Sequence, residues 1–258
     1  MVVDAPCEPP KSVLGRTFAV LDAFGPKDRI VSLTELSQRT GLPKSTLHRL
    51  AATLVDWGAL VKTDVGYHLG MHLFELGGRV PFQRLLRDVA LPYMEDLYEA
   101  THETIQLAVL DGSEVVYIDK IAGHRAGDVP THMGGRLPAY RVALGKALLA
   151  QSPLETEAVL NGQLVRVTPY TITTPRLLEE QLRAAADSGV AYDREESRVG
   201  LTCAAAPVFD RMGSAIAALS VAGASCRMPL ERIARMVRST ADQVSQALVQ
   251  RPMLRRPG

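Results

Sequence analysis

Residues 32–58 read SLTELSQRTGLPKSTLHRLAATLVDWG, and their pattern decides how the amino-terminal part of the chain folds. Ser32 followed three residues later by Glu35 makes a capping box, so a helix starts there. Leu33, Leu36 and Leu42 supply its apolar side. Thr40-Gly41 ends it, because glycine tolerates the left-handed backbone that closes a helix. Pro43 stands where a second helix opens, and its missing N–H costs nothing in a first turn. Leu47, Leu50, Leu54 and Val55 then recur at helical spacing and face inward. The other face begins with Lys44, Ser45 and Thr46 and continues through His48 and Arg49. Two short helices with a tight turn follow the plan of a helix-turn-helix, whose second helix enters the DNA major groove. The competing reading is a helical hairpin with a solvated polar face.

The flanks favour the first reading. Upstream, Val13, Leu14, Phe18, Val20, Leu21 and Phe24 fit a helix from Ser12 that stops at Gly25-Pro26, with Arg16 on its polar side. Downstream, LVKTDVGYHLG at 60–70 reads as two short strands, Leu60-Val61 and Tyr67-His68-Leu69, around an Asp64-Val65-Gly66 turn. A small hairpin directly after a recognition helix is the wing of a winged helix-turn-helix, and it places Lys62 to meet a phosphate. Residues 12–70 therefore form a DNA-binding domain, behind a Pro-rich, disordered tail at 1–11. Residues 71–82 read as a helical linker whose apolar side chains can pair with a second chain.

From residue 83 the character changes. A helical pattern runs from Gln83 to Thr101, and Pro92 is expected to bend or interrupt it. Glu103–Asp119 alternates around Asp111-Gly112, a type I′ hairpin signal. A loop rich in Gly and His spans 121–135. Helices are expected over 141–151, from Ser152-Pro153 as cap to Leu160, over 176–188 up to Gly189, and over 228–249. Strands are expected over 190–192, 201–209 and 214–223. This order fits an α+β domain over 83–250, with a curved antiparallel sheet and helices on one side. A loose tail follows at 251–258.

Composition sets the outer bounds. The 258 residues carry a net charge of +1, so a basic surface for nucleic acid must be local. Three cysteines, Cys7, Cys203 and Cys226, at wide spacing give no disulfide framework and point to a reducing cytoplasm. The first residues lack the regions of a secretion signal, and no apolar run reaches the ~20 residues of a membrane span.

TELSQRTGLPKSTLHRLAATL, GYHLG, LAVLDGSEVVYID, GGRLPAYRVALGKALLA, TITTP, YDREESRVGLTCAAAPVFD and AIAALSVAG together resemble the IclR family of bacterial transcriptional regulators over roughly residues 12–250. The resemblance implies a winged helix-turn-helix domain, a helical linker and a GAF-like effector-binding domain. It also implies homodimers or dimers of dimers on DNA, responding to small metabolites, often carboxylates or aromatic acids. No cofactor is expected.

On the DNA side, Ser45, Thr46, His48 and Arg49 occupy the first turns of the recognition helix. Arg can read guanine with two hydrogen bonds, and Ser or Thr can meet a base edge or a phosphate. Lys44, Arg39, Arg16 and Lys62 are better placed for phosphate. For each alone, a solvated surface residue is the competing reading. Two-fold pairing calls for double-stranded DNA with a palindromic operator.

On the effector side, the resemblance carries over the backbone N–H groups of Ala143 and Leu144 as a carboxylate site near a helix start. Asp193, Cys203 and Ser220 become polar members and Leu137 and Leu201 apolar walls. The family often has His where this chain has Tyr140, Thr or Ser where it has Val142, and a second Ser where it has Ala222. The loss of hydroxyl donors implies a less polar pocket, suited to an aromatic or hydrazide-like compound or an amino-acid derivative rather than a two- or three-carbon acid. In this reading the effector shifts the DNA-binding heads through residues 71–82.

Two other functions compete. Cys203 can be read as a nucleophile, against a buried small hydrophobe flanked by alanines. His124, His132, Asp128 and Glu103 can be read as a metal sensor, although no tight ligand spacing appears. Gly145-Lys146 lacks the remainder of a phosphate loop. The charged runs 193–196 and 179–180 read as solvated surface.

Overall fold

The protein is described by a computed structural model covering residues 10, 12–124 and 129–250. Apart from Pro10, the tails expected at 1–11 and 251–258 lie outside these residues. The chain divides into two compact units, with the boundary at Pro81/Phe82.

The first unit holds α1 (Val13–Asp22), α2 (Leu33–Thr40), α3 (Lys44–Asp56), β1 (Leu60–Lys62), β2 (Tyr67–Leu69) and α4 (Met71–Gly77). Local chemistry sets the ends. The Ser12 hydroxyl accepts from the Gly15 N–H at 3.0 Å and the Ser32 hydroxyl from the Glu35 N–H at 3.2 Å, each cap being worth about 1 kcal/mol. Gly41 closes α2 in the left-handed region, with φ 68°. Pro43 sits one place earlier than expected, as the extended residue ahead of α3, and no side chain caps that helix. Val20, Leu36, Leu47, Leu50 and Leu54 bury the three helices against Leu60 and Tyr67. The hairpin is tied to the segment before α2, since Val31 and Tyr67 exchange N–H···O bonds of 2.8 and 2.9 Å. A Cβ on Gly66 would overlap the Val31 carbonyl, so this strand crossing requires glycine.

The second unit opens with α5 (Pro81–Thr101), which runs unbroken through Pro92. That departs from the expected bend or break. Pro92 and Asp88, four residues earlier, are both exposed, so water can take the carbonyl that the proline leaves unpaired. Then come β3 (Thr104–Asp111), β4 (Glu114–Ile121), β5 (Arg136–Pro138), a 3₁₀ turn (Ala139–Arg141), α6 (Ala143–Leu149), α7 (Pro153–Leu160), α8 (Pro175–Ser188), β6 (Ala191–Arg194), β7 (Leu201–Phe209), β8 (Ala215–Ala224) and α9 (Leu230–Gln250). The six strands form one antiparallel sheet in the order β5-β4-β3-β8-β7-β6. Asp111 pairs with Glu114, and only Gly112 of the two loop residues has positive φ. That is the pattern of a type II′ turn rather than the expected I′. Ser152 precedes α7 without a side-chain cap bond.

Helices cover both faces of the sheet, not one. On one face, α5 and α9 pack on Ile105, Leu107, Ala204, Ala206, Leu219 and Val221. On the other, α6 and α8 pack on Ala108, Cys203, Ala205, Ala218 and Ala222. Every residue of α6 is buried. The near-continuous apolar runs LTCAAAPVF and AIAALSVAG are the sequence counterpart, because strands buried on both faces lose the polar alternation.

Candidate DNA interface and effector cavity

The recognition-helix residues divide cleanly. Leu47, Leu50, Ala51 and Leu54 face the core, while Lys44, Ser45, His48 and Arg49 are exposed and Thr46 is half-buried. The spacing 45, 48, 49, 52 is one helical stripe, open to solvent over its whole length. With no side-chain cap, the first N–H groups of α3 are free of any capping bond as well, and such groups suit phosphate. Lys62 is exposed on the hairpin, opposite Tyr67.

Arg39 stands apart from this group. Its guanidinium donates to the Ala23 carbonyl at 2.7 Å and to Glu35 at 2.6 Å, and it also pairs with Asp28. The pair draws the Asp28 carboxyl below its usual range and raises Arg39, chiefly through their hydrogen bond. Arg39 thus braces α2 against the loop after α1, which leaves little of its charge for a phosphate. Arg16 donates through Nε to the Pro10 carbonyl at 2.9 Å.

In the second unit a cavity opens between the sheet, the start of α6 and the turn after β6. Of the residues expected there, Leu137, Val142, Ala143, Leu144, Asp193, Leu201, Cys203 and Ala222 line it. Tyr140 and Ser220 are not among its lining residues. The Tyr140 hydroxyl donates to the Val165 carbonyl and accepts from the Val165 N–H, both at 2.8 Å, so it straps the 3₁₀ turn to the loop after α7. Ser220 is fully buried, paired across the sheet with Ala205.

The sequence reading missed Gln106, Tyr117, Thr131, Arg141, Ser197 and Arg198, all of which line the cavity. Gln106 and Tyr117 sit on adjacent strands of the β3–β4 hairpin, and Gln106 donates to Thr131. Their alternation on a strand was legible, but which face carried the cavity was not. Arg141 was visible as a charge inside the otherwise apolar segment before α6. Gly145 holds that corner together, since a Cβ there would overlap the Ala139 backbone. The glycine of the Gly145-Lys146 pair thus serves helix-to-turn contact.

Charge inside the cavity is controlled by burial. Asp193 is 2 % exposed. Burial pushes its carboxyl up to about 6, against the hydrogen bond from Ser197 and the attraction of Lys146. Its Oδ1 accepts from the Glu196 N–H at 2.7 Å and from the Ser197 N–H at 3.3 Å, and its Oδ2 from the Ser197 hydroxyl. Glu196 departs from the expected solvated surface. It is buried, and its Oε1 accepts from Lys146 Nζ at 2.6 Å. Lys146 also donates to Gln181 at 2.8 Å. The pair joins α6 to the turn after β6, the strand that carries Asp193.

Burial also pushes the Cys203 thiol up to about 12. A thiol held in that state is a poor nucleophile at neutral pH. Among the described residues, no three His, Cys, Asp or Glu side chains converge as a metal site. Asp128 lies outside those residues, and His124 meets Tyr98 and His102 instead. No described helix is long and apolar enough to cross a membrane.

A winged helix-turn-helix with an open polar stripe, joined in one chain to a sheet domain holding a cavity lined by polar and apolar side chains, defines a ligand-responsive DNA-binding regulator. The comparisons with known proteins agree. The family described as bacterial transcriptional regulator IclR C-terminal matches residues 83–246, and the IclR helix-turn-helix domain matches residues 13–64. The chain belongs to the IclR family of transcriptional regulators. It is 36 % identical over 217 residues to the HTH-type transcriptional regulator XynR of Escherichia coli, covering 83 % of this chain and 86 % of that one. It is 32 % identical over 255 residues to the transcriptional repressor IclR of the same organism, covering 95 % and 93 %. Among solved structures, an IclR homolog from Microbacterium hydrocarbonoxydans complexed with 4-hydroxybenzoate superposes with TM-score 0.86 at 33 % identity, covering 92 % of this chain and 99 % of that one. The Thermotoga maritima IclR gives 0.75 at 30 % identity, covering 91 % and 98 %.

Proposed function

We propose that this chain acts in the cytoplasm as a homodimer or dimer of dimers on a palindromic operator. It reads bases with Ser45, Thr46, His48 and Arg49, and meets phosphates with Lys44, Lys62 and Arg16. The exposed stripe on α3 carries this reading: its polar side chains have no task in the core. The dimer is closed through apolar side chains of the first unit, where Leu14, Phe18, Met71 and Phe74 are exposed. Arg39 is assigned to bracing α2.

Operator affinity is set by a small organic effector in the cavity built by α6, β7 and the turn after β6. An aromatic acid suits it, in keeping with the 4-hydroxybenzoate bound by the Microbacterium hydrocarbonoxydans homolog. The backbone N–H groups of Ala143 and Leu144 face the carboxylate, and Leu137, Val142, Leu201 and Ala222 face the ring. Asp193 and Cys203 supply the remaining polar contacts, while Tyr140 and Ser220 support the walls from behind. The cavity serves binding rather than catalysis, since Cys203 is held as the thiol.

The test is operator retention with DNA from upstream of the protein's own gene. Arg49→Ala should lose specific retention at a salt concentration where the wild type binds, with an unchanged melting temperature. Unchanged footprinting by the variant removes Arg49 from the base-reading set.

A further inference from the structure

Arg141 ends the 3₁₀ turn ahead of α6 and lines the cavity wall. The other residues of that turn are pinned from two sides: the Ala139 N–H donates to the Ser113 carbonyl at 2.9 Å, and Tyr140 is strapped to Val165. The turn therefore presents Arg141 to the cavity at a fixed place. There its Nε is buried with no hydrogen-bond partner. A buried donor left unpaired costs free energy, and native structures keep few such groups without a purpose.

Two other arginines of this unit show the contrast. Arg87 pairs with Asp119 at 2.7 Å and Arg136 with Asp111 at 2.5 Å. The acid that lines the cavity with Arg141 is Asp193, and its oxygens accept from Glu196 and Ser197 donors. The Tyr117 ring and the apolar Leu137, Val142 and Leu201 line the same cavity. Burial pushes the Tyr117 phenol above its usual range, so it stays neutral and offers a ring face and a hydroxyl, not a charge.

We propose that Arg141 is the specificity-determining anchor of this cavity, pairing with the carboxylate of an aromatic acid whose ring lies against Tyr117 and the apolar wall. The planar guanidinium fork matches a planar carboxylate. This rests on the reading of the cavity as the effector site for an aromatic acid and adds to it the side chain that recognises the acid's charge. It also revises the expectation of a less polar pocket: the hydroxyls missing at Val142 and Ala222 are offset by one fixed cation.

The probes are benzoate and 4-hydroxybenzoate, their neutral counterparts benzamide and 4-hydroxybenzamide, and pyruvate as an aliphatic acid. Binding is measured by isothermal titration on the full chain, with Arg141→Ala and Arg141→Lys beside the wild type. The wild type should bind the aromatic acids and not the amides. Arg141→Ala should weaken acid binding about 10- to 100-fold, the worth of a charge-assisted hydrogen bond, and Arg141→Lys should recover part of it. Both variants should keep the wild-type circular-dichroism spectrum and a cooperative thermal melt, which shows that they fold.

Equal binding of acids and amides, or aromatic-acid binding unchanged in Arg141→Ala, overturns the anchor and leaves the cavity as an effector site. Binding of pyruvate alone overturns the aromatic class and likewise keeps the effector site. Binding of none of the five overturns the proposal together with the ligand class on which it rests.

Discussion

Asp193 shows how a single side chain sets the behaviour of the cavity. Its carboxyl is raised to about 6 by burial, from a usual value near 4. The folded protein therefore binds this proton more tightly than the unfolded chain does. Its contribution to stability is greatest below about pH 4 and is lost as pH rises towards 6, after which the penalty stays constant. Asp193→Asn removes the ionisation. Between pH 4.5 and 7 it should abolish a fall in stability of about 2 kcal/mol, read by denaturant melts at a series of pH values. The same fall in variant and wild type would show that Asp193 does not carry it. Cys203 follows the same physics. Its thiol, raised to about 12, should alkylate far more slowly than exposed Cys226 at pH 7.5, read site by site by mass spectrometry. Rapid modification of Cys203 would return it to the list of nucleophiles.

At the scale of elements, α6 is the piece on which the second unit depends. It is buried on all sides and carries a lysine into the interior, where Lys146 and Glu196 are 1 % and 3 % exposed. Removing one partner of such a pair leaves an uncompensated buried charge and costs about 3–5 kcal/mol. Lys146→Met should lose that much stability in urea melts. Lys146→Met with Glu196→Leu should lose clearly less, because no charge is stranded. Equal losses would mean that the pair acts by shape alone.

This element also marks where the sequence stopped being legible. The helix-turn-helix could be read because caps, Gly41 and apolar spacing are local signals, and each lies within a few residues of the end it determines. The cavity could be read only in part. Its walls come from β3, β4, the loop near residue 130, the start of α6 and the turn after β6. Asp193 and Cys203 were found through family resemblance. Tyr117, Gln106 and Arg141 were missed, because their shared location depends on strand register and on the turn that precedes α6. Glu196 was misassigned to the surface because four charged residues in a row look solvated until a lysine 50 residues away is seen to fold against one of them.

For the whole molecule, the chain divides into two units, one with an exposed polar stripe on α3 and the other with a cavity. A regulator needs the two coupled. A ligand shifts operator affinity only as far as it binds the two arrangements of the heads differently, and coupling of this kind is typically about 1–3 kcal/mol, or roughly 5- to 150-fold. The expected route is the segment 71–82. Control of DNA binding by the cavity is tested by the affinity of the protein for its upstream operator, measured by fluorescence anisotropy at fixed salt with and without saturating 4-hydroxybenzoate, in the wild type and in Arg141→Ala. The wild-type affinity should change by about fivefold or more, and the change should be absent from Arg141→Ala at the same ligand concentration. An operator affinity that does not move in the wild type while titration shows the ligand bound would contradict such control.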